Sequence, residues 1–339
     1  MSGSRAFVTL GMFIIDEFTY ADENGEPTGK TSSSQENWWR RHLCNGWSTD
    51  LVRLISFVVF QCFIMAFMYF ARLPPHQVGM IVDKGHDFPP EIQVELEKYG
   101  SDMWMFRNQP EALTTRALNS YRGDIRKIRI TPRDLNGTKL EQPRNLHFIC
   151  SPSRASVIMS EVNSVPGWNP TTIYEPIPVG DRCIPEELPA LKDVLPSISI
   201  LSPNAEEALS LLSYSLPPNK ISIEHAASKF LELGVKDAVI IRSGAMGAYI
   251  ITSDRGGRWI SAFWNDAEHV VDVTGAGNSF LGGLAAGLEI SGNDIYEAIF
   301  YATVSASFTI EQPGLPILTN DGWNGDSPFS RLDALKKRH

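Results

Sequence analysis

The hydrophobic pattern changes period repeatedly along the chain, and those changes mark out strands and helices. Residues 6–15 are apolar and rich in β-branched types, which predicts a buried strand ending at Asp16 and Glu17. Residues 17–36 are polar, rich in Gly, Ser and Thr, and predict a loop. Val78–Asp83 and Leu146–Cys150 predict further strands, and Ala155–Val162 has helical spacing. Thr172–Tyr174 leads into Glu175 and Pro176, and Ile198–Leu201 predicts a strand that stops at Ser202, Pro203 and Asn204. An amphipathic helix is expected over Ile223–Leu233 and a strand over Ala238–Ile241. Asn278–Ile290 and Ile295–Thr309 predict two helices. Strands alternating with helices define an α/β protein: a mostly parallel sheet with helices on both faces. Residues 100–145 follow no clear period, and no internal repeat is present. The Pro/Gly/Asn/Asp-rich residues after Gly314 predict an irregular tail over 317–339, at least as far as Arg331–Lys337.

One stretch breaks the pattern. Leu54 to Ala71 runs eighteen residues without a charge, bracketed by Arg53 and Arg72. By length alone it sits at the lower limit of a transmembrane helix.

Composition narrows the class. At 339 residues, with 43% hydrophobic and 20% charged residues, the chain can bury a sizeable core in one large α/β domain or two modest ones. A net charge of −9 argues against a nucleic-acid partner, which needs a basic face. Cys44, Cys62, Cys150 and Cys183 form no CxxC pair, so neither a disulfide framework nor a metal site is expected. A reducing, cytoplasmic compartment fits, and Met1–Arg5 does not resemble a signal peptide.

The chemistry concentrates in Val271–Phe280, followed by Leu281–Leu288. A Gly-x-Gly turn at Gly275 and Gly277 that opens straight into a helix makes an anion site, because backbone N–H groups point outward and the helix dipole adds positive charge. Gly282, Gly283 and Gly287 allow the same helix to pack closely on a neighbour. A plain helix cap with small packing residues is the bland alternative, and a lone Gly-x-Gly would favour it.

The motif has company. Val271–Phe280 resembles the C-terminal signature of the PfkB sugar-kinase family, Asp-Thr-Thr-Gly-Ala-Gly-Asp-Ser/Thr-Phe. Asn204–Glu207 resembles the family's Asn-x-x-Glu motif, Ser243–Gly247 its Thr-x-Gly-x-x-Gly nucleotide loop, and Gly11–Asp16 its first strand. Ile295–Thr309 with Pro313 and Gly314 is similar to the segment that backs the adenine. The resemblance runs from residue 6 to about residue 316 in family order. It implies a ribokinase-like three-layer α/β sandwich, Rossmann-like in its parallel sheet, that moves phosphate from ATP to a hydroxyl of a sugar or nucleoside-like small molecule. The implied roles are specific. The N–H groups of Gly275, Ala276 and Gly277 stabilise charge on the transferred phosphoryl group. Asn204 and Glu207 orient magnesium, and Ser243, Gly244 and Gly247 hold the nucleotide. Asp272 and Thr274 match positions that hold a monovalent cation such as potassium, and Asp16 accepts from substrate hydroxyls. A homodimer is compatible with the family. Taken alone, Asp16 also reads as a strand-end cap and Glu207 as a solvated helix residue.

Two departures stand out. The family's general base, the Asp of Gly-Ala-Gly-Asp, is Asn278 here. An amide can position a hydroxyl but cannot take its proton, and a lost general base typically costs about 10²–10⁴ in rate. Asn at this position, Gly11–Glu17 and Pro74–Gly79 together resemble a fungal branch of the family, the maintenance-of-killer kinase-like proteins. Slow turnover and a catalytically inactive nucleotide-binding regulator or scaffold both remain open.

The second departure is the missing glycine-rich substrate loop, whose place holds Trp38, Trp39, Arg40 and Arg41. Tryptophan has the single codon TGG, so a one-base shift turns Trp38 and Trp39 into glycines, and Arg40 and Arg41 follow if their codons end in GG. The shifted frame then runs from a glycine loop into a helix. Val52 and Arg53 can be encoded by a splice donor, and Ala71 and Arg72 by an acceptor. Residues 31–73 therefore read as translation out of frame and through an intron, with a genuine membrane anchor over Leu54–Ala71 as the rival. On that reading residues 1–30 hold the first strand and hairpin of the kinase-like domain, and residues 74–316 hold its remainder.

Overall fold

The computed structural model describes residues 4–11, 15–17, 74–118, 130–176, 184–266, 268–312, 316–319 and 321–339. The anomalous segment 31–73, with its apolar run, lies outside them. Among the described residues, no helix is long and apolar enough to cross a membrane.

Strands β1 (Phe7–Thr9), β3 (Val78–Gly85), β4 (Trp104–Gln109), β6 (Asn145–Cys150), β7 (Thr171–Pro176), β8 (Ile200–Leu201), β9 (Ala238–Arg242), β10 (Ala248–Thr252) and β11 (Gly256–Ile260) form one sheet. Its order is β11-β10-β9-β8-β7-β6-β1-β3-β4. Every pairing from β9 to β4 is parallel, and β10 and β11 add an antiparallel edge. Buried parallel strands are apolar on both sides, and these send alternate residues into two cores. Phe7, Met80, Ile173, Ile200, Ile240 and Ile250 enter one core, shared with α1 (Pro90–Glu97), α6 (Ala276–Ser291), α7 (Ile295–Thr309) and α8 (Pro328–Lys336). Val8, Ile81, Leu146, Tyr174, Leu201 and Val239 enter the other, against α2 (Pro152–Asn163), α3 (Leu188–Val194), α4 (Ala205–Leu211) and α5 (Lys220–Glu232). The result is the expected three-layer sandwich. Each of these large apolar side chains contributes about 1.5–3 kcal/mol by leaving water.

Helices α6 and α7 pack at very close range. A Cβ on Gly283 would lie 2.6 Å from the Tyr301 carbonyl oxygen, and one on Gly287 would lie 2.6 Å from Ala298 Cα. This is the tight helix packing that the glycines predict.

Two expectations need correction. The first strand does not run unbroken from residue 6 to 15. β1 stops at Thr9, where the Thr9 hydroxyl accepts from Gly11 N–H at 2.9 Å and Leu10 N–H donates to the His147 carbonyl at 2.8 Å. Ile15–Glu17 form a separate strand, β2, paired in parallel with β5 (Arg116–Leu118) outside the main sheet. Nor is 317–339 irregular. β12 (Leu318–Thr319) pairs with β13 (Gly322–Trp323), and α8 follows with Ser327 as its cap. Arg331, nearly buried, anchors this segment. Its Nε bonds Asp326 at 2.7 Å and its Nη1 bonds Glu311 at 2.6 Å, while its guanidinium lies 3.7 Å from the centre of the Phe308 ring. Local turn-rich composition hid a segment whose order is tied to Glu311, outside it, through Arg331.

Candidate active site

The carboxyl ends of the central parallel strands meet the N-termini of α4 and α6, where open α/β sheets bind ligands. Gly275 caps α6 in the left-handed region, at φ 83°, which glycine adopts without the Cβ clash other residues meet. Ahead of it, Asp272 Oδ1 accepts from Thr274 N–H at 2.9 Å, and the Ile310 carbonyl holds Val271 N–H at 2.8 Å. This fixes the turn that starts the helix.

The three proposed anion-hole amides are not equivalent. Ala276 N–H donates to the Val273 carbonyl at 3.1 Å and is committed to the turn, while the first bond inside the helix runs from Ser279 to Gly275 at 2.9 Å. The amides of Gly275, Gly277 and Asn278 therefore lack a backbone acceptor among the described residues and remain open to an anion. Asn278 itself is half-buried in this first turn.

At α4, Asn204 Oδ1 accepts from Glu207 N–H at 2.9 Å, and Glu207 Oε2 accepts from Asn204 N–H at 2.8 Å. This reciprocal capping box locks both side chains at the helix start. The bland reading of Glu207 as a solvated helix residue fails, because its carboxyl is largely buried. Burial, reinforced by the charge of Glu175 and opposed by Arg242, pushes it up to about 7.

Beneath these helix ends runs a buried polar row that sequence reasoning missed. Thr9 Oγ1 and His147 Nδ1 lie 3.0 Å apart, and His147 Nε2 is 3.9 Å from Glu175 Oε2. Glu175 Oε1 accepts from Arg242 Nη2, which also donates to the Ser202 carbonyl at 3.1 Å and lies 4.0 Å from Glu207 Oε2. Burial holds the His147 imidazole below its ordinary value. Burial alone would raise Glu175, yet the adjacent Arg242 leaves it below the usual carboxylate range. A signal for the row was present. Counting two residues back from Gly244 places Arg242, not Ser243, at the Thr of Thr-x-Gly-x-x-Gly.

The hydroxyl of Ser243 is turned back onto its own backbone. It donates to the Ile241 carbonyl at 3.2 Å and is buried, so it faces its own strand. Gly244 and Gly247, at φ 54° and 90°, shape the tight turn between β9 and β10. Thus Asn204, Glu207 and Gly277 converge on Arg242, and Asp272 and Thr274 lead into the same helix N-terminus. Asp16 lies on β2, away from the main sheet, and its side chain is outside the described residues.

A mostly parallel α/β sandwich with a glycine-capped helix start at the carboxyl edge of its sheet defines a ribokinase-like α/β protein. Residues 178–320 match the profile of the pfkB family carbohydrate kinases. Over 358 aligned residues the chain is 30% identical to an uncharacterized protein of Schizosaccharomyces pombe, covering 96% of this chain and 91% of that one. It is 33% identical over 287 residues to Protein MAK32 of Saccharomyces cerevisiae, covering 76% and 77% of the two chains. Arabidopsis thaliana ribokinase, solved with ribose and ATP, superposes with a TM-score of 0.62 at 19% identity, covering 98% of this chain and 99% of that one. Phosphofructokinase-2 of Escherichia coli, solved with potassium, superposes at 0.64 with 14% identity, covering 98% and 100%. The chain belongs to the pfkB carbohydrate kinase family, in its fungal MAK32-like branch.

Proposed function

We propose that the protein is an ATP-dependent phosphotransferase acting on a hydroxyl of a sugar or nucleoside-like small molecule, slowed by Asn278. The observation that carries this reading is the start of α6, where the open amides of Gly277 and Asn278 face the carboxyl edge of the sheet. Preorganised N–H donors at a helix start stabilise charge on a phosphoryl group without reorganising. In the transfer, a substrate hydroxyl oxygen bonds to the γ-phosphorus as the bond to the β–γ bridging oxygen breaks, and ADP leaves. Asn278 can hold the hydroxyl by a hydrogen bond but cannot accept its proton, which passes to solvent.

Gly275 and Gly277 shape the anion hole, the turn over Gly244 and Gly247 borders the nucleotide, and Asp16 receives the substrate hydroxyls. The donor set at α4 fits magnesium. Glu207 sits beside Glu175, and among the described residues Arg242 is the one permanent cation that balances these two carboxylates, so a divalent cation would relieve the surplus. Asn204 and Glu207 would hold it, and it would neutralise charge on the nucleotide's phosphates. Asp272 and Thr274 are proposed to hold potassium.

Asn278 supports a second reading, a protein that binds nucleotide and regulates without turnover. ATP-dependent phosphorylation across a panel of sugars and nucleosides, measured beside thermal stabilisation by Mg-ATP, separates the two. Ligand at a hundred times its Kd should add about 2.7 kcal/mol of stability. Stabilisation without product supports the second reading. Neither stabilisation nor product would sink both.

A further inference from the structure

Arg242 is an under-committed cation. A guanidinium carries five N–H donors in a rigid fork. Both hydrogens of Nη2 are used, on Glu175 Oε1 and on the Ser202 carbonyl. Nε is buried with no hydrogen-bond partner, and the side-chain hydrogen bonds of Arg242 to described residues both come from Nη2, leaving Nη1 uncommitted. Buried polar groups left unpaired in a native fold call for an explanation, and a missing ligand is one of them.

The direction of the unused side is informative. A Cβ on Gly277 would collide with Arg242 Nη1 and stand 3.5 Å from Cζ. Nη1 therefore lies against the first turn of α6, beside the open amides. A full positive charge packed on a helix N-terminus is repulsive in the empty site. Glu175, itself buried, holds the guanidinium there from behind, and its second oxygen has no hydrogen-bond partner. Such a placement is favourable once an anion beside Nη1 and the open amides neutralises both positive groups.

We infer that Arg242 is a phosphate-binding residue of this site: Nη1 engages an oxygen of the anion seated at the start of α6, and Glu175 is the positioning residue that aims the guanidinium. The inference rests on the kinase-like reading for the identity of the anion, a polyphosphate of the nucleotide. The charge geometry holds for any oxyanion of that size.

The test is titration calorimetry of Mg-ATP, AMP and inorganic pyrophosphate into the wild-type protein, Arg242→Gln and Arg242→Lys. Charge-assisted hydrogen bonds of this kind predict a loss of about 10- to 100-fold in Mg-ATP and pyrophosphate affinity for Arg242→Gln. AMP affinity should change less than about two-fold, and lysine should restore part of the loss as a point charge. Removing Arg242 alone strands the buried Glu175 carboxylate, so Arg242→Gln is compared with the double variant Glu175→Gln/Arg242→Gln, which removes both charges and keeps the fold. The double variant should show the same loss. Wild-type affinity for Mg-ATP and pyrophosphate in a folded double variant overturns the inference. A wild-type protein that binds pyrophosphate through Arg242 but no nucleotide overturns the kinase reading and leaves the assignment of Arg242 standing.

Discussion

The guanidinium of Arg242 rests against Gly277, so closely that a methyl group on the glycine would collide with Nη1. One residue ends β9 and the other begins α6, and they meet where the sheet's carboxyl edge faces the helix start. The contact ties the start of α6 to the buried row of Thr9, His147 and Glu175 beneath it.

That contact reverses an ordinary expectation for Gly277→Ala. In an open helix alanine is better than glycine by about 1 kcal/mol. Here overpacking against Arg242 should cost about 1–3 kcal/mol instead. Denaturant unfolding of Gly277→Ala, Arg242→Gln and the double variant gives the coupling. The penalty should largely vanish in the Arg242→Gln background, where the shorter side chain frees the space. An equal penalty in both backgrounds would place the strain elsewhere.

Asn278→Asp restores a proton acceptor in the first turn of α6. If turnover is limited by the missing base, the rate should rise by about 10²-fold or more while Mg-ATP affinity changes little. Steady-state kinetics on whichever sugar or nucleoside gives measurable product decides it. No gain would mean that another lesion limits the chemistry.

Much of this was legible because it is local. The α6 motif, its glycines and the capping pair Asn204 and Glu207 lie within short windows, where spacing dictates geometry. The buried row was not, since Glu175 and Arg242 are sixty-seven positions apart and only the strand order brings them together. Pattern reading likewise joined β1 to β2, because an apolar run does not reveal that the Thr9 hydroxyl turns the chain. Arg331 ties the C-terminal segment to Glu311, a partner that lies outside it and that no local window over 317–339 contains.

Glu207 gives the metal-free protein a stability that depends on pH. Its folded value of about 7 lies above the 4.5 of the unfolded chain. Between these the native state keeps a proton that the unfolded state has released, so this contribution is complete below about pH 4.5 and is lost as pH rises toward and through 7. His147 acts in the opposite sense, its depressed value costing stability as pH falls below 6.5. It is common to the wild type and Glu207→Gln, so the difference between the two isolates Glu207. With chelator present, that difference should shift by about 2–3 kcal/mol between pH 5 and pH 8, with the wild type losing ground at the higher pH. A flat difference would contradict it.

Arg331 should prove indispensable to the C-terminal helix. Arg331→Met keeps much of the apolar stem but leaves Glu311, 15% exposed, without its buried partner. Stranding a buried charge of this kind costs about 3–5 kcal/mol. Thermal melts of the variant, with hydrogen exchange over α8, should show a lower midpoint and faster exchange from Pro328 to Lys336. A loss below about 1 kcal/mol would show the ion pairs to be incidental.

The remaining prediction concerns residues 31–73, which carry the apolar run and occupy the position of a substrate loop. β1 and β3 are parallel neighbours, with Phe7 opposite Val78, so the chain between them must return from the carboxyl edge of the sheet to its amino edge. A helix-bearing crossover serves that purpose in α/β sheets, and a membrane-spanning insert does not. Sequencing the spliced transcript across the codons for Thr31 to Pro75 should return a glycine-rich frame in place of Trp38, Trp39, Arg40 and Arg41, without the run from Leu54 to Ala71. The protein made from that transcript should remain in the supernatant without detergent and should bind a sugar or nucleoside through the restored loop. A transcript that encodes the chain as it stands, with a product that pellets with membranes, would instead make Leu54–Ala71 an anchor and remove the substrate loop from the kinase reading.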